Sequence, residues 1–161
     1  MTINTQTPEK PRLHAGAAVF AGLIAGAVFM MLEMIMVPMF MGGTPWGPPR
    51  MIAAIAMGPD VLPPPATFDL GILMVAMMVH FALAIVLALV FALIAKGRPM
   101  GTAIMIGAAF GLVVYLVSFY GMTAVFPWFA EARNWVSLFA HVMFGVVLGW
   151  VYAMRTARFH R

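Results

Sequence analysis

The sequence predicts an all-α integral membrane protein with four transmembrane helices, and three observations predict it. Hydrophobic residues make up 64% of the 161 and charged residues only 9%, a balance outside the range of soluble domains. Four apolar stretches, near 17–41, 70–94, 101–126 and 134–154, each reach the roughly 20 residues a spanning helix needs. Lipid cannot satisfy a bare backbone, so each span must be helical. Finally, the basic residues are one-sided. Lys10, Arg12, Lys96, Arg98, Arg155, Arg158 and Arg161 fall on one side of that arrangement, against Arg50 and Arg133 on the other. The positive-inside rule then places both termini in the cytoplasm.

Each element follows in order. Residues 1–16 form a cytoplasmic tail whose polar first ten residues read as disordered. The stretch 17–41 is longer than the ~7–15 residues of a signal-peptide core and lacks a cleavage site after one, so it reads as retained. Within it Pro38 removes the backbone bond to the Met34 carbonyl, which bends the helix just past Glu33. The connection 42–69 carries Gly42-Gly43, Trp46 and Pro48-Pro49. Those prolines start a helical turn or two over Met51–Met57, an interfacial or re-entrant cap.

Asp69 caps the second span. A tight turn at 95–100 leads into the third span, and a short connection at 127–133 follows it, with Glu131 and Arg133 as an interfacial ion pair. Asn134 caps the fourth span. Residues 155–161 are a basic cytoplasmic tail, and His14 and His160, near charged termini, read as solvated. Trp46, Trp128 and Trp135 mark the outer interface, with Trp150 and Tyr152 near the inner one.

Small residues recur at four-residue steps in all four spans: Ala18/Gly22/Gly26, Ala84/Ala88/Ala92, Ala103/Gly107/Gly111 and Gly145/Gly149/Ala153. Residues four apart share a helix face, and small faces mark where membrane helices approach closely. The second half also repeats the first in outline. Gly22 and Gly26 match Gly107 and Gly111, Glu33 matches Ser118, and His80 matches His141. Two tandem hairpins of the same orientation would form a parallel repeat about the membrane normal.

His80 and His141 both continue these small-residue faces, and Glu33, Tyr115 and Ser118 fall on them too. Polar groups facing lipid are costly, so all five point into the bundle. At 1.5 Å per residue, Glu33, His80 and His141 each lie on the order of 12 Å below the outer boundary. They read as one site. Two imidazoles and a carboxylate suit a transition metal held by His80, His141 and Glu33. The two histidines also suit a b-type haem ligated from both sides, and the set suits a proton relay for a solute or ion. The bland alternative is that these groups hydrogen-bond one another and fix helix register, at roughly 0.6–2 kcal/mol each.

Six of the seventeen methionines, Met30, Met31, Met34, Met36, Met39 and Met41, crowd around Glu33. Thioethers bind Cu(I), but six in so short a run must face all directions, which favours packing. The absence of cysteine excludes disulfides and thiolate chemistry. No phosphate loop, nucleophile elbow or zinc-protease motif occurs, so an enzyme is not expected. The net charge of +4 reports topology; nucleic acid has no aromatic or motif support.

Gly22-Leu-Ile-Ala-Gly26, Phe126-Pro127-Trp128-Phe129 and Phe139-Ala-His141-Val-Met-Phe144 resemble the YagU-type family of small bacterial inner-membrane proteins. The likeness spans most of the chain and is strongest in the last third, although this chain lacks that family's longer extracytoplasmic segment. It implies an inner-membrane protein and no settled activity. Related short chains carry the label of a sodium:proline symporter, a machine with many more helices and broken ones at its ion site. Four helices do not supply that.

The expected protein is therefore a multi-pass, N-in/C-in bundle of the bacterial cytoplasmic membrane whose first partner is the lipid bilayer. Its expected role is a binding or conducting module. The competing role is an accessory subunit of a larger membrane complex, or a structural homo-oligomer assembled through its glycine faces.

Overall fold

The computed structural model describes residues 13–157. The expected disorder of the first ten residues, the basic residues Lys10, Arg12, Arg158 and Arg161, and His160 lie outside the described residues. Among those described, four helices are long and apolar enough to cross a membrane. The protein is a multi-pass, all-helical membrane bundle. Helix α1 spans Ala15–Met36 and continues as a π-helical turn over Val37–Met41. Helix α2, Gly47–Met57, is the short helix expected in the long connection, and it does begin with prolines. Helices α3 (Leu70–Ala95), α4 (Met100–Leu116, with a second π turn at Val117–Gly121) and α5 (Trp135–Ala157) complete the bundle.

The helix starts obey the capping expectation. Asp69 Oδ1 accepts from the Ile72 N–H at 2.9 Å, and Asn134 Oδ1 accepts from the Ser137 N–H at 3.0 Å. Pro38 acts differently from the simple bend. The turn around it widens into a π turn that ends at Gly42, whose φ of 74° stops the helix. The π turn at 117–121 contains no proline, so no sequence rule announced it.

Alanines make up most of the buried apolar positions, beside a few large side chains such as Phe91, Leu148 and Tyr152. Ala18, Ala21, Ala25, Ala88, Ala92 and Ala103 are fully buried, while Met74, Met78, Leu93 and Met105 face outward. Lipid is as apolar as leucine, so large side chains gain nothing by hiding. Close backbone approach decides the packing instead, and the glycines mark it. A Cβ on Gly107 would collide with the Gly145 carbonyl, one on Gly111 with the His141 carbonyl, and one on Gly149 with the Ala103 carbonyl. The α4–α5 seam is thus backbone against backbone. In the other hairpin a Cβ on Gly22 would lie 2.7 Å from Ala88 Cβ and 2.9 Å from the Ala84 carbonyl oxygen.

The two hairpins share this internal register. Gly22 meets Ala84 as Gly107 meets Gly145, and Gly26 meets His80 as Gly111 meets His141. Between hairpins the two-fold relation of a parallel repeat does not hold. That relation would make the α1–α5 and α4–α3 seams equivalent. Instead α1 packs extensively on α5, whereas α3 and α4 barely touch. The cause is bulk: Phe144, Leu148, Val151 and Tyr152 of α5 fill against the alanine face of α1. The helices therefore run in the order α3–α1–α5–α4, an arc with a gap between its ends.

Candidate functional site

The gap is the site. A cavity of about 760 Å³ lies between α3 and α4, walled by Leu83, Val86, Leu87 and Val90 on one side and Phe110, Val113, Val114 and Val117 on the other. This volume suits a small organic ligand, for which roughly 300–1,000 Å³ is usual. At the end near the 95–100 turn, Phe91 meets Phe110 with ring centroids 5.6 Å apart, and Phe91 meets Tyr152 at 6.1 Å. At the opposite end α2 contributes Met51, Ile52 and Ile55, and the segment after α4 contributes Phe126 and Phe129. These two covers are joined, since Trp128 Nε1 donates to the Met51 carbonyl at 3.0 Å. The expected cap over the polar residues is present.

The floor of the cavity comes from α1 and α5 and holds its polar groups. Glu33, His80 and His141 all line it, as expected, and all three are buried, at 5%, 8% and 7% exposure. Ser118 lines the cavity from α4. Tyr115 is buried just behind, its ring edge-on to His141 at 5.6 Å. Polar groups thus collect at one level, and the walls on either side are apolar.

Two contributors were missed. Ser137 is 1% exposed, and its hydroxyl is the hydrogen-bonding neighbour of the Glu33 carboxyl, whose other oxygen, Oε1, is left without a partner. Its position four residues before His141, on the same face, was the available signal. Phe29, four residues before Glu33, wedges between the histidines. It stacks on His80 at 5.5 Å and meets His141 edge-on at 4.7 Å. Nothing in an apolar run distinguishes such a wedge from ordinary filling.

The hydrogen bonds fix what each histidine does. His80 Nε2–H donates to the Gly26 carbonyl at 2.9 Å, tying α3 to α1. His141 Nδ1–H donates to the Ser137 carbonyl at 2.7 Å, within α5. A carbonyl only accepts, so these bonds set the tautomers and leave each neutral ring one lone pair. Glu33 differs: its Oε1 is buried and has no hydrogen-bond partner. Burying a carboxylate oxygen unpaired is costly, so this atom is the site's unspent acceptor.

A metal or haem does not fit this arrangement. Among the described residues no three His, Asp or Glu side chains gather as a ligand set. Phe29 occupies the space between the imidazoles, where a shared ion or a porphyrin would have to sit. The Cu(I) reading fares no better, since Met30 is buried while Met31, Met39 and Met41 face outward.

Both arginines of the loop end turn out to be structural clips. Arg133 donates from Nε to the Phe119 carbonyl at 2.6 Å and from Nη2 to Thr123 Oγ1 at 3.0 Å, and lies over the Tyr120 ring. The π turn frees that carbonyl, and it draws Arg133 in place of the expected partner Glu131. Arg50 bonds the Val61 carbonyl at 2.7 Å and the Thr67 carbonyl at 3.1 and 3.2 Å, folding the long connection over α2. At the other end His14 is half-buried and lines a surface pocket with Arg155. Arg155 itself lies 3.6 Å above the Phe20 ring.

Compared with family models, with curated proteins and with solved structures, the chain matches none.

Proposed function

We propose that the chain is a non-enzymatic binding module of the bacterial cytoplasmic membrane, oriented N-in/C-in. In this reading it accepts a small amphipathic molecule sideways from the bilayer. The molecule's apolar part lies between α3 and α4, and its polar head reaches the floor around Glu33. One observation carries the reading: Glu33, whose Oε1 is buried without a hydrogen-bond partner, lines a cavity between α3 and α4, which barely touch each other. Unsatisfied buried acceptors are rare in native proteins and call for a partner. An intramembrane ionisable residue is by default a functional one.

The histidines take a supporting role. Their bonds to the Gly26 and Ser137 carbonyls hold α1, α3 and α5 in register, as the bland alternative supposes for them. The accessory-subunit or homo-oligomer alternative loses its main support. The glycine faces expected to mediate assembly are consumed by packing within the chain. Kinship with the YagU-type inner-membrane proteins remains part of the proposal, resting on the residues at 22–26, 126–129 and 139–144.

The test uses the full chain in a neutral maltoside detergent, with dodecanol as probe and native mass spectrometry as readout. One bound dodecanol per chain is expected. Val114→Trp, which fills the cavity from its α4 wall, should weaken binding by about tenfold or more, the worth of ~1.4 kcal/mol of lost contact. Equal binding by the filled variant would overturn the reading.

A further inference from the structure

We propose that the ligand of this cavity is a cationic amphiphile, an alkyl ammonium rather than a neutral alcohol, a fatty acid or a phospholipid. The inference rests on the binding reading above and adds the chemistry of the head group. It stands on what the polar floor offers and what it lacks.

The floor offers acceptors. Glu33 Oε1 has no partner. The N–H groups of His80 and His141 are spent on backbone carbonyls, so each neutral ring turns only a lone pair to any further partner. A ligand that matches these groups must itself bring N–H or O–H donors. An ammonium brings several from one atom.

The lining also has a sign, with Glu33 on the floor and Glu131 in the segment over the loop end. Glu33 and Glu131 both line the cavity, and no Lys or Arg does among the described residues. Arg50 and Arg133 are held by the carbonyls of Val61, Thr67 and Phe119 and do not line the cavity. A fatty-acid carboxylate or a lipid phosphate would meet acceptors and no base among the lining residues. A cation is attracted by the same carboxylates. Phe29 and Phe119 add ring faces and edges around the site, and a desolvated cation is attracted to an aromatic face.

Size agrees as well. The head would sit on the floor between α1 and α5, while the apolar walls of α3 and α4 accept a single hydrocarbon chain. Access is lateral, which suits a molecule that partitions into lipid first. The carboxylate then sorts what the walls do not distinguish.

The experiment compares dodecylamine, dodecanol and dodecanoic acid on the full chain, in the same neutral detergent at neutral pH, by native mass spectrometry. Dodecylamine should bind at least about tenfold more tightly than dodecanol, as a charge-assisted bond requires over a neutral one. Dodecanoic acid should bind most weakly. In E33Q the ratio of amine to alcohol affinity should fall close to one, and the ratio is insensitive to a general loss of protein quality. Equal binding of amine and alcohol by the wild-type chain would overturn the inference while leaving the cavity reading standing. A preference that survives in E33Q would overturn it too, because Glu33 would not be its source. Failure of all three probes to bind would overturn the cavity reading itself. Should E33Q not fold, the wild-type ratio still decides.

Discussion

The two hairpins use the same register and hold it by different means. In α4–α5 the glycines bring backbone onto backbone, and a single added methyl group has no space. In α1–α3 Gly22 and Gly26 face Ala84 and Ala88 where α4 faces Gly145 and Gly149, and the seam is closed by a side-chain hydrogen bond, His80 to Gly26. The tight hairpin supplies a rigid strut, and the looser one leaves room for polar chemistry. Glu33 and its neighbour Phe29 belong to the looser hairpin. This division explains why the polar floor forms where α1 meets α5 rather than within either hairpin.

Substitution of one glycine in each hairpin breaks this comparison most sharply. Gly145→Ala forces a methyl group into the Gly107 carbonyl. It should cost about 3 kcal/mol, the upper part of the range for overpacking a tight core. Gly22→Ala meets the Ala88 methyl and the Ala84 carbonyl at a less severe distance. These contacts still force a shift, so it should cost about 1–2 kcal/mol, less than Gly145→Ala but not negligible. Reversible unfolding in mixed micelles reads both. Equal costs would mean that the two seams are not different in kind.

A smaller effect sharpens the same contrast. His80→Phe keeps a ring of similar shape beside Phe29 and removes the bond to α1. It should cost about 0.6–2 kcal/mol, the worth of an interhelical bond in membranes. His141→Phe removes a bond that never leaves α5, so hydrogen exchange in α1 and α3 should rise in the first variant and not in the second. Matching exchange profiles would show that His80 does not hold the seam.

Much of this was legible in the sequence because it rests on local rules. Span length, the Asp69 and Asn134 caps, the prolines opening α2 and the four-residue stripes each depend on a few neighbouring residues. The inward faces of Glu33, His80 and His141 followed from those stripes. What was not legible depends on distance in the chain. Phe29 reads as filler until α3 and α5 are placed beside it. The arginine clips reach from Arg133 across 14 residues to Phe119 and from Arg50 across 17 residues to Thr67, with nothing in either segment to name the partner. The apparent repeat misled for a related reason. Its register is written within each hairpin, whereas the docking of α1 on α5 is chosen by bulk on one helix and alanines on the other. From that choice comes the gap between α3 and α4, and with it the cavity.

The gap is the central claim, and spin-label distances test it most directly, because the chain has no cysteine of its own. One pair of introduced cysteines belongs at the loop end, Leu83→Cys with Val117→Cys. A second belongs nearer the turn, Ile94→Cys with Met105→Cys. All four positions are exposed, and Leu83 and Val117 face each other's helix across the cavity. The arc predicts a clearly longer separation for the loop-end pair than for the turn-end pair. Equal separations along both helices would mean that α3 and α4 pack as an ordinary hairpin, and the cavity between them would not exist.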